Sequence, residues 1–197
     1  MLKRYKEFED NDKIIHIPFT DNLNDKTFNH TLNFQDKINK CFWRGGCDLN
    51  GHLRHNVCHI LKDSLYSDVK IYNPNYPNTN ISTNIKTYRN HMLNFKIILA
   101  IESITPPADA EYILHSGSIP IIIYRWWKAW FYDYIENGKD LYLIHYDELD
   151  KLPLLIEQLC NDDNKCLELI NNTKKFTEKI FNKDFIREHI KNQIDNL

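Results

Sequence analysis

The chain has 197 residues, 42% of them hydrophobic and 13% aromatic, enough to bury one good core and cramped for two full domains. A formal net charge of −2 gives no global attraction for nucleic acid or an anionic membrane, and no local basic patch is large enough to stand in for it. The charged start lacks the apolar core of a signal peptide, and no apolar run approaches the roughly 20 residues needed to span a bilayer, so the expectation is a soluble, cytoplasmic chain with no membrane span and no nucleic-acid partner.

Residues 1–40 are polar and irregular apart from the apolar run 14–19, a short strand ended by Pro18, and they read as an arm lying against a domain formed by 41–197. Asp10 and Asp12 have an acidic spacing that can hold a metal, but no buried strand precedes them, and they read as solvated charge. Cys41, Phe42 and Trp43 form a short buried strand, residues 45–51 a loop and residues 53–61 a helix. Residues 68–72 supply the next strand, and the Asn- and Pro-crowded stretch 73–84 a loop. The apolar run 95–101 is that of a strand covered on both faces in a parallel sheet.

Pro106, Pro107 and Asp109 then open a helix, which Gly117 closes before a strand over 119–123. The stretch 126–135 reads as a helix with two aromatic stripes, Trp126 with Trp130 and Trp127 with Phe131 and Tyr134. Residues 140–145 are a strand, Asp147 the cap of a helix over 148–160 with Pro153 awkwardly inside it, and 163–181 and 183–196 two further helices. Strands alternating with helices predict the α/β class: a Rossmann-like open parallel sheet with helices on both faces and a C-terminal helical tail. Five cysteines without a compact framework are expected to be free thiols.

Ligands of such sheets bind beyond the carboxyl ends of the strands, which selects the loops after Arg44, Glu102 and Tyr124. Arg44, directly after a buried strand, is placed either to fork onto a phosphate or to pair with a core-edge carboxylate such as Glu102. Gly45 and Gly46 fit close backbone approach or a tight turn. Glu102 suits a ribose hydroxyl, the orientation of Arg44, or general-base work if a neighbour raises its pKa. Ser116 and Ser118 flank Gly117 at a helix end, where capping explains the triplet. His52, His55 and His59 share a helical face and, with Cys58 beside them in sequence, tempt a zinc reading, but the spacing lacks two separated ligand pairs and no metal is expected. No nucleophile elbow or Gly-rich phosphate loop appears.

These residues together resemble glycosyltransferase family 90, the capsule-associated and protein O-glucosyltransferase-like group. The likeness runs through Phe42, Trp43, Arg44 and Gly45 with the later Arg54, the strand-loop-helix ending at Ser116, Gly117 and Ser118, and the aromatic block from Trp126 to Tyr132. The strand and helix with Asp147, Leu149 and Leu152 complete it, over roughly 41–181. The resemblance implies a nucleotide-sugar donor, a UDP-sugar foremost, with no cofactor beyond that substrate, and a two-half architecture of which this chain covers the donor half. It also implies a donor site formed by Arg44, Gly45, Gly46, Arg54, Glu102, Ser103, Thr105, Asp109 and Ser116, with catalytic residues unknown. At Asp109 eukaryotic members often carry an Arg that meets the diphosphate, so the carboxylate needs a partner here. The alternative is a degenerate, non-catalytic binding or interaction module, meeting a second copy or a partner chain through the 126–134 aromatic face.

Overall fold

The run from Phe95 to Ile101 is buried at every position, and its alternate side chains enter two different cores, as the twofold repeat of a strand requires. Ile97, Leu99 and Ile101 join one core, and Ile98 and Ala100 join the other. A computed structural model describes residues 32–46, 52–72, 85–107 and 109–195, with the backbone alone of 2–3, 5–7, 15–16 and 85–86. Among them a five-stranded, wholly parallel sheet forms the centre.

Its strands are β1 (Ile38–Gly45), β2 (Ser67–Ile71), β3 (Phe95–Ile101), β4 (Ile119–Tyr124) and, after a short β5 (Trp127–Ala129) outside the sheet, β6 (Tyr142–His145), in the spatial order β2-β1-β3-β4-β6. Helices α1 (Leu53–Leu61) and α4 (Leu152–Cys160) cover one face through Leu53, Val57, Leu61, Leu152, Ile156 and Leu159. Helices α2 (Ile85–Met92) and α3 (Ala110–Leu114) cover the other through Met92, Ala110, Ile113 and Leu114. The long α5 (Asp163–Ile180) gives Cys166 and Leu169 to the first core and Phe176 and Ile180 to the second, and α6 (Lys183–Asp195) follows it. The α/β open sheet with helices on both faces and a helical tail is the architecture expected from the sequence.

Local departures have identifiable causes. Trp126 to Tyr134 is no helix: Trp127–Ala129 is a strand paired antiparallel with residues 5–7, and Tyr132–Tyr134 is a 3-10 turn. Aromatic residues have high strand propensity, and pairing with the N-terminal arm decided the case against the helical spacing. Pro153 is not inside a helix but in the first turn of α4, which a 3-10 stretch over Tyr146–Lys151 precedes. The amide of Asp147 is capped by the His145 ring at 3.4 Å, so His145 takes the cap role expected of Asp147. Gly117 has φ +62°, where only glycine is unstrained, and ends α3 as expected. Helix α2 was not foreseen, and the loops expected over 47–51 and 73–84 lie outside the described residues.

Near the amino edge of the sheet, Lys37 and Phe34 are buried ahead of β1. The Lys37 ammonium donates to the Ser116 carbonyl at 2.9 Å and the Ser118 hydroxyl at 2.6 Å, and burial lowers its pKa to about 8. Lys96, the one charge within β3, reaches Asp163 at 2.7 Å and covers the Phe34 ring. On the edge strand β6, the Asn137 side chain takes both main-chain groups of Leu143 at 2.9 Å, a device that leaves less open edge for another chain.

Candidate functional site

After β1 the chain turns to one side to lay down β2, then returns past β1 to lay down β3 on the other. The winding therefore reverses between β1 and β3, and the carboxyl ends of these two strands border a crevice. A cleft of about 140 Å³ occupies that position, lined by Trp43, Arg44 and Gly45 of β1, Arg54 of α1, Ile101 of β3 and Asp109 ahead of α3. The sequence expectation placed donor-site residues around this edge, and the fold brings Arg44, Gly45, Arg54 and Asp109 together there.

Arg44 is withdrawn from water, with its guanidinium 5.0 Å over the Phe42 ring. It pairs not with Glu102 but with Asp68, whose Oδ1 it meets at 2.6 Å, and it donates also to the Trp43 carbonyl at 2.9 Å. The parallel register, Phe42 beside Asp68 and Arg44 beside Lys70, puts that carboxylate within reach. Burial pushes the Asp68 carboxyl up, but the hydrogen bonds and charges of Arg44 and Lys70 outweigh it and hold the pKa below the usual value. The buried Arg44 Nε has no hydrogen-bond partner among the described residues.

Arg54 bridges the mouth of the cleft. Its guanidinium donates to the carbonyls of Gly46 and Ile101 at 3.1 Å and of Glu102 at 3.3 Å, while lying 5.4 Å over the Trp43 ring. It thereby ties the carboxyl ends of β1 and β3 together. Gly45 has a packing reason: a Cβ there would collide with the Trp43 ring. Gly46 has open space where a Cβ would stand.

Glu102 is 1% exposed, and its carboxylate is filled from within the chain. Oε2 accepts the main-chain N–H of Arg125 at 2.9 Å and of Trp127 at 3.0 Å, and Oε1 that of Trp126 at 3.1 Å. Three consecutive amides converging on one anion form a nest at the carboxyl end of β4. Desolvation raises the Glu102 pKa, and these three donors oppose the rise.

Asp109 is paired with Arg89 of α2 at 3.4 Å, and the Arg89 guanidinium covers the Tyr112 ring at 4.4 Å. Burial raises the Asp109 carboxyl while Arg89 and Arg54 oppose the rise. Sequence reasoning missed Arg89 because α2 borders the Asn-rich stretch, which hid the helix; a basic residue opposite an acidic strand-end loop was the available signal. Ser103 and Thr105 form a bend, the Ser103 amide donating to the Thr105 carbonyl at 3.1 Å, and α3 begins only at Ala110 and runs five residues. Asp109 stands at its N-cap position without a side-chain capping bond.

Ser116 lies at the amino end of β4, the opposite edge of the sheet from the cleft. Its hydroxyl donates to the Ile113 carbonyl at 2.6 Å and accepts the Ser118 amide at 3.1 Å, a capping role. The aromatic block is mostly core: Trp130, Phe131 and Tyr132 are buried, whereas Trp126 and Tyr134 are exposed and separated by them. His52, at φ 59°, begins α1 in the left-handed region, with its ring 5.8 Å from that of His55. Among the described residues no group of three His, Cys, Asp or Glu side chains is placed to hold a metal, and no helix is long and apolar enough to cross a membrane. No protein-family model matches the chain, and no curated protein matches it.

Proposed function

We propose that the chain is the donor-binding half of a glycosyltransferase similar to family 90, taking a nucleotide sugar, with a UDP-sugar first, at the crevice between β1 and β3. The observation that carries this reading is the cleft at the reversal of winding, lined by Arg44 and Arg54 at the carboxyl ends of β1 and β3. Among the described residues that line the cleft, the charged ones are Arg44, Arg54 and Asp109, two cations to one anion, a balance that suits a diphosphate. In this reading Arg44 and Arg54 stabilise the leaving diphosphate, and the Asp109 carboxylate, neutralised by Arg89, is kept from repelling it. A single Rossmann-like half supplies one wall; transfer also takes a wall that positions the acceptor and a base for its hydroxyl.

The second reading, a non-catalytic module, has its own support. The amide nest at residues 125–127 is already filled by Glu102, and a cleft of about 140 Å³ falls short of the roughly 300 Å³ at which ligand pockets begin. Thermal unfolding with UDP, UDP-glucose and inorganic pyrophosphate separates the two. A ligand bound only by the folded state raises the melting temperature, and the donor-half reading expects a rise with UDP that Arg54→Ala abolishes. No shift with any of the three rejects it in favour of the interaction module.

A further inference from the structure

Glu102 faces two ways. Its main-chain carbonyl accepts Arg54 at the cleft, and its carboxylate fixes the amides of Arg125, Trp126 and Trp127. One residue thus joins the crevice to a second feature on the same carboxyl edge. There the Arg125 guanidinium lies 4.2 Å from the centre of the Trp126 ring and 4.6 Å from that of Tyr146. The Arg125 carbonyl contacts the His145 Nε2 at 3.2 Å, and the Tyr146 hydroxyl accepts Asn56 of α1 at 3.3 Å. Trp126 is nonetheless 39% exposed. A large aromatic ring is therefore held at both its backbone and one of its faces while still open to solvent.

An exposed indole that only fills space has no need of such fixing. Rigid aromatic rings lose little freedom on binding and stack on planar partners, and a guanidinium layered on a ring leaves the opposite face for one. Because β3 and β4 are neighbours, the shelf stands about one or two strand spacings, roughly 5–10 Å, from the cleft. That separation suits the ribose linking a diphosphate to its base.

We infer that Trp126, held by Arg125 and by the Glu102-bound amides, is the stacking platform for the nucleobase of a nucleoside diphosphate whose phosphates occupy the crevice; this rests on the donor-site reading above. Stacking alone reads a planar ring, so the platform supplies affinity and leaves base identity to other contacts. Trp126 is a positioning and binding residue here and takes no part in bond making.

The test is calorimetric titration of the intact chain, Trp126→Ala and Trp126→Phe with UDP and with inorganic pyrophosphate, the fold of each variant being checked by circular dichroism. The expected result is that UDP binds the wild type tighter than pyrophosphate does. Trp126→Ala then weakens UDP about tenfold and leaves pyrophosphate unchanged, and Trp126→Phe restores most of the loss. Equal wild-type affinity for the two probes overturns the platform while the cleft reading stands, and needs no variant to fold. Unchanged UDP binding in Trp126→Ala, or an equal loss for both probes, does the same. Absence of binding of either probe to the wild type overturns the cleft reading and the platform with it.

Discussion

Asp68 of β2 and Arg44 of β1 meet at 2.6 Å across neighbouring parallel strands, with side chains 25% and 7% exposed. The pair sits beside the reversal of winding, so the charge that lines the crevice is also a structural charge. Asp68→Ala leaves Arg44 buried without its counter-ion and is expected to lower unfolding stability by about 2–4 kcal/mol, read by urea titration. The Asp68 pKa is depressed in the folded state, so its contribution is fully present above the ordinary carboxylate value of about 3.9 and is lost as pH falls through the folded value. The wild type should therefore lose more stability than Asp68→Asn on that acid limb, and parallel curves would show that the pair contributes nothing.

Glu102→Gln keeps the size of the side chain but replaces one acceptor oxygen with an N–H₂ that faces backbone donors. The amides of residues 125–127 should lose protection in hydrogen exchange, while those of β3 keep theirs. Equal protection in variant and wild type would mean that the nest is held by the surrounding chain and not by the carboxylate.

Gly45→Ala places a methyl group against the Trp43 ring. Overpacking of this kind costs about 1–3 kcal/mol, and the melting temperature should fall accordingly. Gly46→Ala, with open space at the same point, is the control that should change stability far less, and a larger loss at Gly46 would contradict the packing account.

Lys37 is charged in the unfolded chain up to about pH 10.5 but loses its proton near pH 8 when buried beside the Ser116 carbonyl and the Ser118 hydroxyl. Between these values the unfolded state binds more protons, so the Lys37 component of stability rises with pH, by up to roughly 3 kcal/mol. The buried thiols of Cys41, Cys160 and Cys166, all raised by burial, act in the opposite sense as their unfolded forms ionise. The informative quantity is thus the stability of the wild type minus that of Lys37→Met, measured by denaturant titration at several pH values. It should increase from about pH 8 upward, and a flat difference would place the ammonium in contact with water.

The sequence by itself determined the layered α/β fold, because a strand covered on both faces must be apolar at nearly every position. The run 95–101 and the isoleucines of 119–123 carry that signature with no help from the rest of the chain. It also pointed to the strand ends where Arg44, Arg54 and Asp109 converge, since helices alternating with parallel strands place those loops on one edge. What only the tertiary structure decided was who pairs with whom. Asp68 reaches Arg44 because β2 lies beside β1 in a particular register, Arg89 reaches Asp109 from a helix hidden beside an Asn-rich stretch, and Glu102 turns toward amides 23–25 residues away. The stretch from Trp127 to Ala129 became a strand because residues 5–7 paired with it. Local spacing encodes which face is apolar, but charge partners and strand pairing depend on atoms distant in the chain, and these become fixed only when the sheet is assembled.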